Sequence, residues 1–171
     1  MSGKPRASSS GLKTGHMMRD SALGLVPETL DLYISLGKSI WESGPLGPAE
    51  LEVARLRNAR KVNCVYCRNV RYDIAIEDGL SESRVEQIED GFQASELSRR
   101  EKLIIAFTDQ FLTAPGDMGG DLRTQLDEHF SREELAHLSY ALVYFSGFSR
   151  CAVCLGGMPD ELPRMEISVP V

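Results

Sequence analysis

Apolar residues recur along the chain at intervals of three and four, the spacing of one helix face, and Gly and Pro cut them into segments. Leu30, Tyr33, Ile34, Leu36, Ile40 and Trp41 predict a helix opened by Pro27, running to about Glu42 and stopped by Gly44-Pro45. Trp41 reads as a packing residue. Gly47-Pro48 opens the next helix, with Pro48 in the first turn, where its missing N–H costs nothing. Leu51, Leu56, Ala59 and Val62 share a broad face of it, with Glu52 inside the apolar arc; Arg57, Arg60 and Lys61 fall on the opposite, solvated side. Asn63 is a good N-cap for a third helix ending before Gly79. A short helix with Val85 and Ile88 begins at Leu80-Ser81 and ends at Gly91. Two capping boxes, Ser98-Arg-Arg-Glu101 and Ser131-Arg-Glu-Glu134, start later helices. The first carries Leu103, Ile104, Phe107 and Phe111; a loop at 116–121 and a helix at 122–130 separate it from the second. The second carries Leu135, Leu138, Ala141, Leu142, Phe145 and Phe148, a stripe wide enough for the central helix of a bundle, with His137, Tyr140 and Tyr144 on its flank. No stretch alternates with a strand's period of two, so the fold class is all-α.

The ends fall outside this pattern. Residues 1–22 are rich in Ser, Gly and Lys, have no helical periodicity and contain a Gly-His-Met string that resembles a cloning junction. They are expected to be a disordered leader, and His16 is discounted as a ligand. They contain no apolar signal-peptide core, and no stretch reads as long enough to span a membrane. Residues 158–171, with prolines at 159, 163 and 170, read as an arm that could cross to a neighbouring subunit. Residues 23–157 form one domain, a natural count for 171 residues. A hydrophobic share of 42% and a charged share of 26% fit a globular chain, and the net charge of −6 argues against nucleic acid. All four cysteines lie in two CxxC pairs, which in a chain without a secretory signal suggests redox or metal chemistry in the cytoplasm.

The candidate chemistry gathers in residues 52–71. An ionised glutamate facing a core needs a partner or a role, and Glu52 has two readings: an ion pair with Arg55, or a functional acid. With Asn63 as N-cap, Cys64 takes the first helical position and Cys67 follows one turn on, near the positive end of the dipole, which favours a thiolate. Arg71, four residues further, would face the same side and stabilise that thiolate, but it cannot carry a proton. Two small buried thiols are the plainer alternative.

Glu52, Cys64-Val-Tyr-Cys67 twelve residues later and the helix end Glu77-Asp78-Gly79-Leu80-Ser81 resemble the carboxymuconolactone decarboxylase family, in its alkylhydroperoxidase D-like branch. The likeness runs from about Leu46 to Gly156 and includes Phe145-Ser-Gly-Phe-Ser-Arg150. It implies an antiparallel helical bundle that assembles as a trimer or hexamer. It also implies a thiol-dependent hydroperoxide reductase with no cofactor beyond a redox-active Cys64–Cys67 disulfide. Cys67 would attack the peroxide, Cys64 would resolve the sulfenic acid, Glu52 would serve the proton relay and an external dithiol would restore the thiols. Tyr66 and Arg71 would support them. The family pattern has histidine where this chain has Arg71, which leaves His137 as the fallback proton carrier. Two other readings remain. One is a non-redox enzyme on a small carbon acid or lactone with Glu52 as base, although the CxxC pair argues against it. The other is an interaction protein stabilised by zinc on the four cysteines. For Cys151 and Cys154, buried free thiols are the expected state.

Overall fold

The structure, a computed structural model, describes residues 4–169. Its helices, in chain order, are α1 (Met17–Asp20), α2 (Pro27–Glu42), α3 (Pro48–Val62), α4 (Val65–Asn69), α5 (Asp73–Glu77), α6 (Glu82–Glu86), α7 (Arg99–Thr113), α8 (Gly120–His129) and α9 (Arg132–Leu155). The two short strands are β1 (Val70–Tyr72) and β2 (Met165–Ile167). The fold class is all-α. Both capping boxes close as predicted, with Ser98 and Ser131 accepting from the backbone N–H of Glu101 and Glu134.

The central helix is α3. It packs against α9, α7, α5 and α4, and residues 51–59 are buried on every side. Arg57, expected in solvent, is therefore 3% exposed. Carboxylates from other parts of the chain make this tolerable: Arg57 donates to Asp109 at 2.6 and 2.5 Å and to Asp90 at 2.7 Å. An unpaired charge here would cost several kcal/mol, more than the about 1.5–3 kcal/mol contributed by a buried leucine. Helical spacing places Arg57 on the polar side of α3 correctly, but that side meets α7 instead of water.

The longest helix, α9, has 24 residues and one buried face, formed by Leu138, Ala141, Leu142 and Phe145; Tyr140 and Val143 are exposed. By length and a mean hydropathy of 1.3 it could cross a membrane, contrary to the expectation that no segment is long enough. Here it lies against α2 and α3. Its contact with α2 is close because Gly37 has no side chain where the Tyr144 ring sits. Tyr33 of α2 donates to the Tyr144 carbonyl and stacks on its ring, and Trp41 packs between Tyr72 and Phe145.

Both ends depart from the sequence reading. Within 4–22, residues 17–20 are helical and Met18 is buried against Leu30 and Ile34. Arg6 N donates to the Leu155 carbonyl at 2.7 Å, which ties the segment to the end of α9. Residues 1–3 and 170–171 lie outside the described residues. The C-terminal arm returns to its own chain: β2 pairs in parallel with β1, Val70 opposite Met165 and Tyr72 opposite Ile167. Short segments like these have no period to read; a few long-range contacts fix them.

Candidate active site

The CxxC motif does not sit on one long helix. Asn63 ends α3 in the left-handed conformation, φ 58°, and the chain turns there, so it is a C-cap and not the expected N-cap. Cys64 is the N-cap of α4, its sulfur accepting from Cys67 N at 3.3 Å. After five residues α4 gives way to β1, where pairing with β2 holds the backbone extended. The expected run from Cys67 to Arg71 on one helical face is thereby broken. The Cys64 and Cys67 sulfurs are in disulfide contact, their Cα atoms 5.3 Å apart.

The two sulfurs have different surroundings. Cys64 is sealed, with no exposed surface. Cys67 opens on a cavity of about 260 Å³ walled by Tyr66, Tyr72, Phe148 and Ser149 and closed on another side by His16 and Met18. Ser149 Oγ donates to Cys67 Sγ at 3.3 Å and accepts from Asn58 Nδ2 at 3.0 Å. Burial pushes the Tyr72 phenol up to about 12, against the opposing pull of Arg55. Burial raises the Tyr144 phenol as well. Both therefore remain protonated donors at neutral pH.

Glu52 is 1% exposed, as the apolar arc implied, and its neighbour in the fold is Arg55. Arg55 Nε and Nη2 each lie 2.6 Å from a different Glu52 carboxylate oxygen. The same guanidinium donates to the carbonyls of Cys67 at 2.6 Å and Val70 at 2.7 Å. Burial alone would lower the Arg55 pKa; the charge and hydrogen bonds of Glu52 outweigh it and keep the group cationic. Glu52 lines a different, smaller cavity, together with Arg71, Tyr72 and Glu82. The acid and the sulfurs thus do not share one pocket; Arg55 stands between them.

Two supporting residues are placed elsewhere. Arg71 donates to both Glu82 oxygens, at 3.0 and 2.8 Å, and to the Arg68 carbonyl. Its charge is committed to α6, because β1 turns its side chain away from the helical register assumed for it. His137 joins α9 to the end of α2: Nε2 lies 3.0 Å from the Ile40 carbonyl, and Nδ1 accepts from Leu46 N at 3.4 Å. Gly44 leaves room for this ring. His137 is also twelve residues from Ser149 on α9, about 18 Å along the axis. The described residues do not bring it to Cys67.

Cys151 and Cys154 are exposed, not buried. Their positions face away from Ser149, Ala152 and Val153, the side of α9 that packs toward the Cys64–Cys67 pair. The four cysteines do not converge, and no cluster of three or more His, Cys, Asp or Glu side chains suited to a metal ion occurs among the described residues.

No family model matches the chain. An uncharacterized protein recorded in two strains of Mycobacterium tuberculosis is 27% identical over 121 residues, covering 71% of this chain and 41% of the relative. The chain thus spans about two-fifths of the length of the curated relatives it matches. A crystal structure from Agrobacterium tumefaciens superposes with a TM-score of 0.66 at 20% identity, over 77% of this chain and 90% of that one. That protein is described as of unknown function and as a candidate antioxidant defence protein, AhpD.

The chain has the alkylhydroperoxidase D-like fold.

Within this AhpD-like fold, several residues that shape the site were not legible in the sequence. Asn58 and Ser149 are ordinary polar positions in helices, and only the crossing of α3 and α9 joins them. Ser149 lies in the run Phe145-Ser-Gly-Phe-Ser-Arg150, whose similarity to the family was the one available signal. Met18 and His16 belong to the segment set aside as a leader.

Proposed function

We propose that the chain is a thiol-dependent hydroperoxide reductase that works through Cys67 and Cys64. The observation that carries this reading is the asymmetry of the pair: one sulfur opens on an apolar cavity, and the other is sealed beside it. The Cys67 thiolate attacks one peroxide oxygen, the O–O bond breaks, and the departing alkoxide takes a proton to become an alcohol. The resulting Cys67 sulfenic acid is attacked by the Cys64 sulfur; the S–S bond forms and water leaves. An external dithiol then returns two electrons and two protons by thiol–disulfide exchange. Glu52 acts on this site through Arg55, whose guanidinium anchors the backbone of Cys67 and Val70. The AhpD description of the Agrobacterium neighbour supports the same class of chemistry.

The test is peptide mapping by mass spectrometry after one equivalent of an organic hydroperoxide. A Cys64–Cys67 disulfide is expected to form in the reduced protein and to be lost in Cys67→Ser, whereas Cys64→Ser should accumulate a sulfenic acid at Cys67. Free thiols at both positions under excess hydroperoxide would exclude the reading.

A further inference from the structure

Ser149 behaves unlike Ser35, Thr108 and Ser139. Ser35, Thr108 and Ser139 each give their hydroxyl to the carbonyl four residues back, the usual local bond of a mid-helix Ser or Thr. Ser149, 2% exposed, instead directs its hydroxyl across the bundle to Cys67 Sγ at 3.3 Å. Its oxygen accepts from Asn58 Nδ2, so its own proton is left for the sulfur. Asn58 has no exposed surface, and its Oδ1 is buried without a hydrogen-bond partner. A buried orphan carbonyl is unfavourable, and a serine at this position could satisfy its own hydroxyl locally. The arrangement makes sense if the chain Asn58–Ser149–Cys67 serves the sulfur.

We propose that Ser149, oriented by Asn58, is the hydrogen-bond donor that stabilises Cys67 as a thiolate, the task that Arg71 was expected to share and is not placed to perform. The inference rests on Cys67 being the reacting sulfur. A hydrogen bond to the charged form of a thiol favours that form, and sulfur accepts far better as thiolate than in a disulfide. The other polar groups facing Cys67 do not duplicate this contact. Arg55 from α3 binds its carbonyl, and Tyr66, Tyr72, Tyr144 and His16 line the cavity. No carboxylate lines it among the described residues.

The test is the pH dependence of Cys67 alkylation by iodoacetamide in the reduced full chain, read from the mass of the Cys67 peptide. Ser149→Ala should move the midpoint upward by about one to two pH units, from the strength of a hydrogen bond to a charged acceptor. Ser149→Thr, which keeps the hydroxyl, should restore the wild-type profile. An unmoved midpoint in Ser149→Ala, or an equal shift in Ser149→Thr, overturns the proposal, the latter by showing a packing effect. Should Ser149→Ala fail to fold, Asn58→Leu decides: an upward shift supports the role, and none overturns it. Alkylation needs no peroxide. Loss of the shift therefore counts against Ser149, whereas absence of a peroxide-induced disulfide in the wild type counts against the reductase reading.

Discussion

The Glu52 carboxylate is held on both oxygens by the guanidinium of Arg55, at 2.6 Å each, in the middle of the most buried helix of the protein. One turn of helix separates the two, so the ion pair is local, but its remaining donors reach the backbone that carries Cys67. Glu52→Gln should leave a buried cation short of its counter-charge and lower stability by about 3–5 kcal/mol. Urea denaturation followed by circular dichroism measures this. The double replacement Glu52→Leu with Arg55→Met should recover much of the loss in stability while still impairing Cys67 reactivity.

Arg71→His should leave hydroperoxide turnover unchanged, because position 71 points to Glu82 and away from the sulfurs. It should lower stability by about 1–3 kcal/mol, because Arg71 is itself buried and its hydrogen bonds to Glu82 and to the Arg68 and Val70 carbonyls are lost. A peroxidase assay of purified Arg71→His decides, and a clear gain in turnover would return this position to the proton relay.

The same pair predicts an acid-sensitive contribution. The hydrogen bond from Arg71 holds the Glu82 carboxyl below its ordinary value of 4.5, with partial burial opposing. The folded state therefore binds fewer protons here than the unfolded state. The stabilisation is complete above 4.5 and is lost as pH falls through the lower folded value. Glu82→Gln should flatten that part of the acid limb in a melting-temperature series against pH, with a modest effect because the group is partly exposed.

Met18 closes one side of the Cys67 cavity from a small satellite cluster. Met18→Ala should speed alkylation of reduced Cys67 and lower stability by about 2 kcal/mol, the low end for a buried methionine. Iodoacetamide labelling kinetics and thermal melting report the two effects separately.

Cys151 and Cys154 are exposed on α9, and Cys64 and Cys67 are paired and covered. Brief maleimide labelling of the native oxidised protein should tag Cys151 and Cys154 alone, and labelling after denaturation and reduction should tag all four. Peptide mapping identifies the sites.

The sequence by itself determined the long helices and the pairing of Cys64 with Cys67. Helical spacing, two capping boxes and Pro-Gly punctuation act within a few residues of one another, so α2, α3, α7 and α9 could be located to within a turn, and the CxxC spacing alone brings Cys64 and Cys67 together. It also placed Glu52 on an apolar face with Arg55 as one of two readings, because that pair lies within one turn. Tertiary structure decided the rest. Whether the polar side of α3 meets water or the carboxylates of Asp90 and Asp109 depends on packing between distant segments, and so does the meeting of Asn58, Ser149 and Cys67. The break at β1 that redirects Arg71 depends on pairing with a strand almost a hundred residues later. The N-terminal segment is held by Met18, by two hydrogen bonds from Arg6 to the end of α9 and by the Arg19–Asp31 ion pair, contacts too distant in sequence to leave any periodic trace.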